Sequence, residues 1–204
     1  MPLNDASIKL IVDFEVGGGE KYYNQQGLDH PIWPQEESGV TIGVGYDLGY
    51  NSPEEISSEW APQIPDADLQ RLLACAGKKG PAAHAALPAV KSISIPWAAA
   101  FEVYEAVTIP KTTDQTRAAF PGFDDLDPNC QGALVSLVFN RGASMKGDRR
   151  IEMRAIRDLV PQKDYEGIAQ QILNMKRLWK GTSIENGMNR RRDAEAALVR
   201  QSQA

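Results

Sequence analysis

The segment Ser38-Gly39-Val40-Thr41-Ile42-Gly43-Val44-Gly45-Tyr46-Asp47-Leu48-Gly49 constrains this chain more than any other. Val40, Ile42 and Val44 alternate with Thr41, Gly43 and Gly45, the period of two with which a strand buries one face. Glycines at 39, 43, 45 and 49 suit tight turns and disfavour a helix interior. The pattern predicts a small antiparallel sheet of two or three strands within residues 20–50. It sets Thr41 on the face opposite Val40 and Ile42.

The rest of the chain reads as helix. Ile8, Leu10, Ile11 and Phe14 lie near one helical stripe, with Asn4 or Asp5 as the N-cap. The glycines Gly17 to Gly19 end that helix and leave Glu15 at its terminus. A second helix is predicted to start at Pro53, capped by Ser52, and a third spans 66–76. A weaker one over 81–89 is interrupted by Pro88. Trp97, Phe101, Tyr104 and Val107 mark a helix over 96–108 as core, with Pro110 kinking or ending it before a continuation towards Phe120. Residues 128–141 are apolar on most sides and predict a buried central helix. Further helices follow over 149–160, 165–175 and 189–201. The expected fold class is α+β, mostly helical, with a small sheet lobe at about 16–50 inserted after the first helix. Residues 1–15 and 51–204 would form the helical lobe of a single domain.

The length of 204 residues suits that reading, and 42% hydrophobic with 24% charged residues suits a globular chain. A net charge of −5 argues against nucleic acid as the partner. No run is apolar and long enough for a membrane span, and the first residues lack the pattern of a secretory signal. Cys75 and Cys130 lack metal-ligand spacing, as do His30 and His84, so no metal is expected. Reduced thiols are the default, with a disulfide as the alternative. Arg190, Arg191 and Arg192 read either as a local basic patch or as a solvated helix face.

Glu15, Thr41 and Asp47 combine two carboxylates and a hydroxyl, the groups that glycoside hydrolysis by water requires. A glycosidase acid must be protonated near neutral pH, and Phe14 and Val16 beside Glu15 offer an apolar setting for it. A carboxylate base and a hydroxyl can then hold and deprotonate the attacking water. In an inverting enzyme the two carboxyls stand roughly 6.5–9.5 Å apart.

Glu15, the following aromatic pair and Gly39-Val40-Thr41-Ile42-Gly43-Val44-Gly45 resemble the active-site region of phage-type lysozymes, glycoside hydrolase family 24. The longer stretch to Gly49 is most similar to pesticin-like muramidase domains. Ala133 to Gly142 resembles the family's central helix and the turn at its end. Trp179 and Asn189-Arg190-Arg191-Arg192-Asp193-Ala194-Glu195 resemble its last helices. Residues 51–95 carry no such motif. The resemblance implies a lysozyme-like fold and hydrolysis of the β-1,4 bond between N-acetylmuramic acid and N-acetylglucosamine in peptidoglycan, with inversion and without a cofactor. It implies Glu15 as acid and Asp47 with Thr41 as the water-directing pair.

Position 24, where the phage enzymes carry their base, is Asn24, which cannot accept the proton. Asp29 is the alternative to Asp47. Asn140 and Arg141 either contact sugar hydroxyls or a peptide stem, or cap the central helix with Gly142. Tyr22, Tyr23, Trp33 and Tyr46 either stack on sugar rings or pack the sheet. Glu20, Glu36 and Glu37 read as surface charges.

A lytic transglycosylase, which uses one acid and no water, is a second reading. A lysozyme-like protein that binds glycan or a partner without cleaving is a third. The expected setting is synthesis in the cytoplasm without a signal peptide, then action on the cell wall. Delivery would be through a holin, as for a phage endolysin, or by a secretion machine, as for an antibacterial effector. The latter implies a cognate inhibitor protein. A monomer is expected.

Overall fold

The computed structural model describes residues 3–15, 17 and 19–202. Val16 and Gly18, which belong to the sequence arguments about Glu15 and the end of the first helix, lie outside the described residues. The architecture is α+β: mostly helical with one two-stranded antiparallel sheet. The chain divides into two compact units, one of residues 1–14 with 110–204 and one of residues 15–109.

In the first unit, α1 (Asp5–Glu15) starts where Asn4 Oδ1 accepts the Ser7 backbone N–H at 2.9 Å, satisfying one of the open amides of the first turn. It crosses α8 (Pro128–Arg141) at very close range. A Cβ on Gly132 would lie 1.7 Å from Ser7 Oγ, so only glycine admits the contact. α8 is buried continuously from Cys130 to Val138, as its all-round apolar sequence predicts, and Asp127 caps it through the Asn129 amide. α11 (Glu185–Val199) packs against it, and α10 (Tyr165–Asn174) packs against both α11 and α9 (Ile151–Leu159).

The Arg190–Arg192 run corrects both of its sequence readings. Only Arg190 is exposed; Arg191 and Arg192 are buried with Glu195, one turn further along α11. Arg191 Nε and Arg192 Nε lie 3.2 and 3.0 Å from the Glu195 carboxylate. Ser136 Oγ on α8 donates to the same carboxylate at 2.7 Å, and Arg191 donates to the Ser136 carbonyl at 2.9 Å. Buried charges survive only when paired and hydrogen-bonded, and here the pairing ties α11 to the central helix. The Arg191 guanidinium also lies 5.7 Å from the centre of the Phe14 ring, the residue before Glu15.

In the second unit the residues expected to be β-prone are partly helical. α2 (Glu20–Gln25) precedes the hairpin of β1 (Thr41–Ile42) and β2 (Tyr46–Asp47), and Ile32 adds one isolated bridge to Thr41. Six residues are too few to display a helical period, which is why the pattern concealed α2. A two-stranded hairpin does not stand alone in water, so it needs helices against it. Of the helices that follow, α3 (Pro53–Trp60) and α6 (Trp97–Val103) meet the hairpin, and α4 (Asp66–Leu73) packs against α3 and α5 (Gly80–Val90). This unit therefore extends to residue 109, where the sequence had placed everything beyond 50 in the helical lobe. α3 opens with the predicted Ser52 cap, completed into a capping box by Glu55. Trp60 and the helix-6 residue Ala100 close on Gly43 at the hairpin tip. The Tyr23 hydroxyl donates to the Ile95 carbonyl at 3.0 Å, and its ring meets Trp97 edge-on. Trp97, Phe101 and Tyr104 stack in turn along the helix, as their spacing predicts.

Pro110 neither ends nor breaks the helix. The chain passes from α6 through one wide π turn, Tyr104–Thr108, into α7 (Ile109–Ala119). Proline has no N–H to donate and its ring collides with the carbonyl four residues back, and a wider turn relieves both problems. Cys75 and Cys130 are buried free thiols rather than a disulfide, and burial pushes Cys130 up to about 12.

Glu195→Gln removes the carboxylate that two buried guanidiniums share. It should lower unfolding stability by about 3–5 kcal/mol, read as a shift in the denaturant midpoint. A change below about 1 kcal/mol would mean that the cluster does not hold α11 to α8.

Candidate active site

The hairpin sets Thr41 and Asp47 directly opposite each other. The Thr41 amide donates to the Ile32 carbonyl at 2.8 Å, and its carbonyl accepts from Ile32 at 3.0 Å. Because both backbone groups of Thr41 turn towards Ile32, the Thr41–Asp47 pair is of the non-hydrogen-bonded kind, where opposed side chains come closest. Both residues are half-buried. The alternation read from the sequence holds, since Val40, Ile42 and Val44 are buried on the other face. Thr41 Oγ1 makes only a long 3.5 Å contact to the Gly39 carbonyl, so the hydroxyl can turn to another partner.

Asp47 also has a structural task. Its Oδ2 accepts the Gly39 amide at 3.0 Å and its Oδ1 accepts the Gly49 amide at 2.8 Å, capping the short helical turn Leu48–Tyr50. A Cβ on Gly39 would lie 2.1 Å from Asp47 Oδ1, and one on Gly49 would lie 2.5 Å from the Lys78 carbonyl. The glycines at 39 and 49 therefore serve close packing around this carboxylate. Each oxygen keeps a second lone pair for a further hydrogen.

Glu15 closes α1, is half-buried, and belongs to the same compact unit as the hairpin. The exposed Tyr22 ring stands over Gly17, two residues on; a Cβ there would be 2.5 Å from the ring. Asp29 is engaged elsewhere. It lies 3.7 Å from His30 Nε2, its charge helps hold the buried Tyr23 hydroxyl neutral, and its carbonyl accepts from Ile95.

The aromatic candidates divide. Tyr46 is a core residue: it is 5% exposed, meets Trp60 edge-on and donates its hydroxyl to Glu59. Burial, then that bond, drive its ionisation far above the ordinary tyrosine range. It has no face to offer a sugar, and this corrects the substrate-contact reading of Tyr46. Tyr23 is likewise buried. Trp33 is half-buried, stacked on His84 with its Nε1 donating to the Ser38 carbonyl. Tyr22 remains as an open aromatic face, and so does Tyr50, under the Lys79 ammonium, which the sequence reading missed. Glu20, Glu36 and Glu37 are exposed, as expected.

Asn140 and Arg141 belong to the first unit, whereas the hairpin belongs to the second. Gly142 does cap α8, at φ 71, while both side chains line a separate pocket with Trp179. Among the described residues no group of three His, Cys, Asp or Glu side chains stands close enough to hold a metal ion, and no helix is long and apolar enough to cross a membrane.

The chain belongs to the family described as Domain of unknown function (DUF8812). Its profile matches residues 11–192, a span that takes in Glu15, the whole hairpin, α8 and the buried arginines of α11. No curated protein sequence matches the chain.

Asp47→Ala removes two charge-assisted hydrogen bonds and should cost about 2–4 kcal/mol of stability, measured by urea unfolding. Asp47→Asn retains an acceptor and should cost less than half as much. A cost below about 0.5 kcal/mol for Asp47→Ala would show that the hairpin does not depend on these bonds.

Proposed function

We propose that this protein is a peptidoglycan hydrolase with a lysozyme-like fold. It is a muramidase that cleaves the β-1,4 bond between N-acetylmuramic acid and N-acetylglucosamine with inversion. The observation that carries this reading is the close pairing of Thr41 with Asp47 on one hairpin face, in the unit that Glu15 enters from the end of α1.

In this reading the Glu15 carboxyl gives its proton to the glycosidic oxygen as the sugar C–O bond breaks. A water hydrogen-bonded to Thr41 Oγ1 attacks the anomeric carbon from the opposite face. Its proton passes to Asp47, whose two backbone amide bonds hold the carboxylate in place. Asp47 is favoured over Asp29 as base because it faces the hydroxyl, whereas Asp29 sits against His30 and Tyr23. The chain would act on the cell wall.

One observation favours a second reading. Both Asp47 oxygens already accept backbone hydrogens, which suits a purely structural aspartate and a lytic transglycosylase that works with Glu15 alone. Release of soluble fragments from purified peptidoglycan distinguishes the two. Glu15→Gln should reduce the rate by about 100-fold or more at unchanged melting temperature in either case. Asp47→Asn, still folded at the assay temperature, should lower the rate as strongly only in the hydrolase. Full activity of Asp47→Asn with loss in Asp29→Asn would transfer the base to Asp29.

A further inference from the structure

The turn that follows α8 carries Lys146, Arg149 and Arg150, and with Arg141 and Trp179 it encloses a pocket of about 650 Å³. Four cations line this pocket against one carboxylate, Asp148, in a chain whose net charge is −5. All of the residues that line it belong to the first unit.

Two of these cations are fastened by neutral acceptors. Arg141 Nη2 donates to the Arg149 carbonyl, and the Arg150 guanidinium donates to the carbonyls of Gly142 and Arg141. Such bonds orient a guanidinium without cancelling its charge. Arg141 Nε is buried and has no hydrogen-bond partner among the described residues. A buried donor left open carries a cost that an incoming acceptor removes. The Arg141 guanidinium also lies 5.2 Å from the Trp179 ring centre, a cation–π contact that helps to hold it. Burial, then the neighbouring charges of Arg150 and Arg192, pull Arg141 down to about 10 against the opposing charge of Glu152. Asn140 adds a neutral donor. Its Oδ1 accepts from Arg192 at 3.1 Å, which directs its amide nitrogen to donate elsewhere.

We infer that this pocket is a binding site for an oxyanion, a carboxylate or phosphate group presented by a ligand. The planar forks of Arg141, Arg149 and Arg150 match the paired oxygens of either group, and Lys146 adds a point charge at the rim. The site stands independently of the chemistry proposed for Glu15, since it shares no residue with the hairpin.

The test titrates the full chain at low salt, where screening is weak, with inorganic phosphate and separately with glutarate. Binding is followed by calorimetry and by the arginine side-chain Nε–H resonances. Saturable binding of at least one anion is expected, with a shift of the Arg141 Nε–H signal. The double variant Lys146→Gln/Arg149→Gln alters two exposed side chains and leaves in place the Arg141, Arg150 and Arg154 bonds that hold the turn. It should weaken binding by about tenfold or more at unchanged melting temperature. Phosphate alone would point to a phosphate-bearing ligand, glutarate alone to a carboxylate-bearing one, and both to the shared chemistry. Binding of neither anion, or equal binding by the folded double variant, overturns the proposal.

Discussion

The buried pairing of Arg191 and Arg192 with Glu195 is the constraint on which the first unit depends. Two guanidiniums without solvent are admissible only because one carboxylate, Ser136 and neighbouring acceptors answer them. Its reach is wide for so small a cluster. Through Ser136 it fixes α11 against the central helix, through Phe14 it meets the end of α1, and through Arg192 it orients Asn140 and covers the Trp179 ring. The last residue before Glu15 and the floor of the cationic pocket are therefore set by the same charges.

Much of this was legible in the sequence wherever one local force dominates. α8 could be read because apolar residues occupy most of its sides, and the starts of α1 and α3 because Asn4 and Ser52 are strong caps. The hairpin followed from alternation and glycines. What stayed hidden depends mostly on partners that only the fold brings together. A run of three arginines reads as solvated until Ser136 and Glu195 are brought to it. Tyr46 reads as an available ring until Trp60 and Glu59 enclose it. The contacts of α3 and α6 with the hairpin reflect its need for cover, which no local pattern announces.

The hairpin itself joins two demands on one residue. Asp47 secures the loop ends at Gly39 and Gly49 and stands opposite Thr41, where a base is wanted. A carboxylate held by backbone amides is already oriented before any substrate arrives, so the structural bonds and the proposed chemistry support each other. Arg141 shows the same economy in the other unit. The turn that Gly142 opens ends α8 and also presents the guanidinium to the pocket.

The measurement that bears most directly on this account is mass spectrometry of the soluble products formed from purified peptidoglycan. The account predicts fragments ending in reducing N-acetylmuramic acid, formed by addition of one water at each cleaved bond. Anhydro-muramic ends would remove Asp47 and Thr41 from the chemistry. A folded protein that releases no fragments would contradict the glycosidase reading altogether.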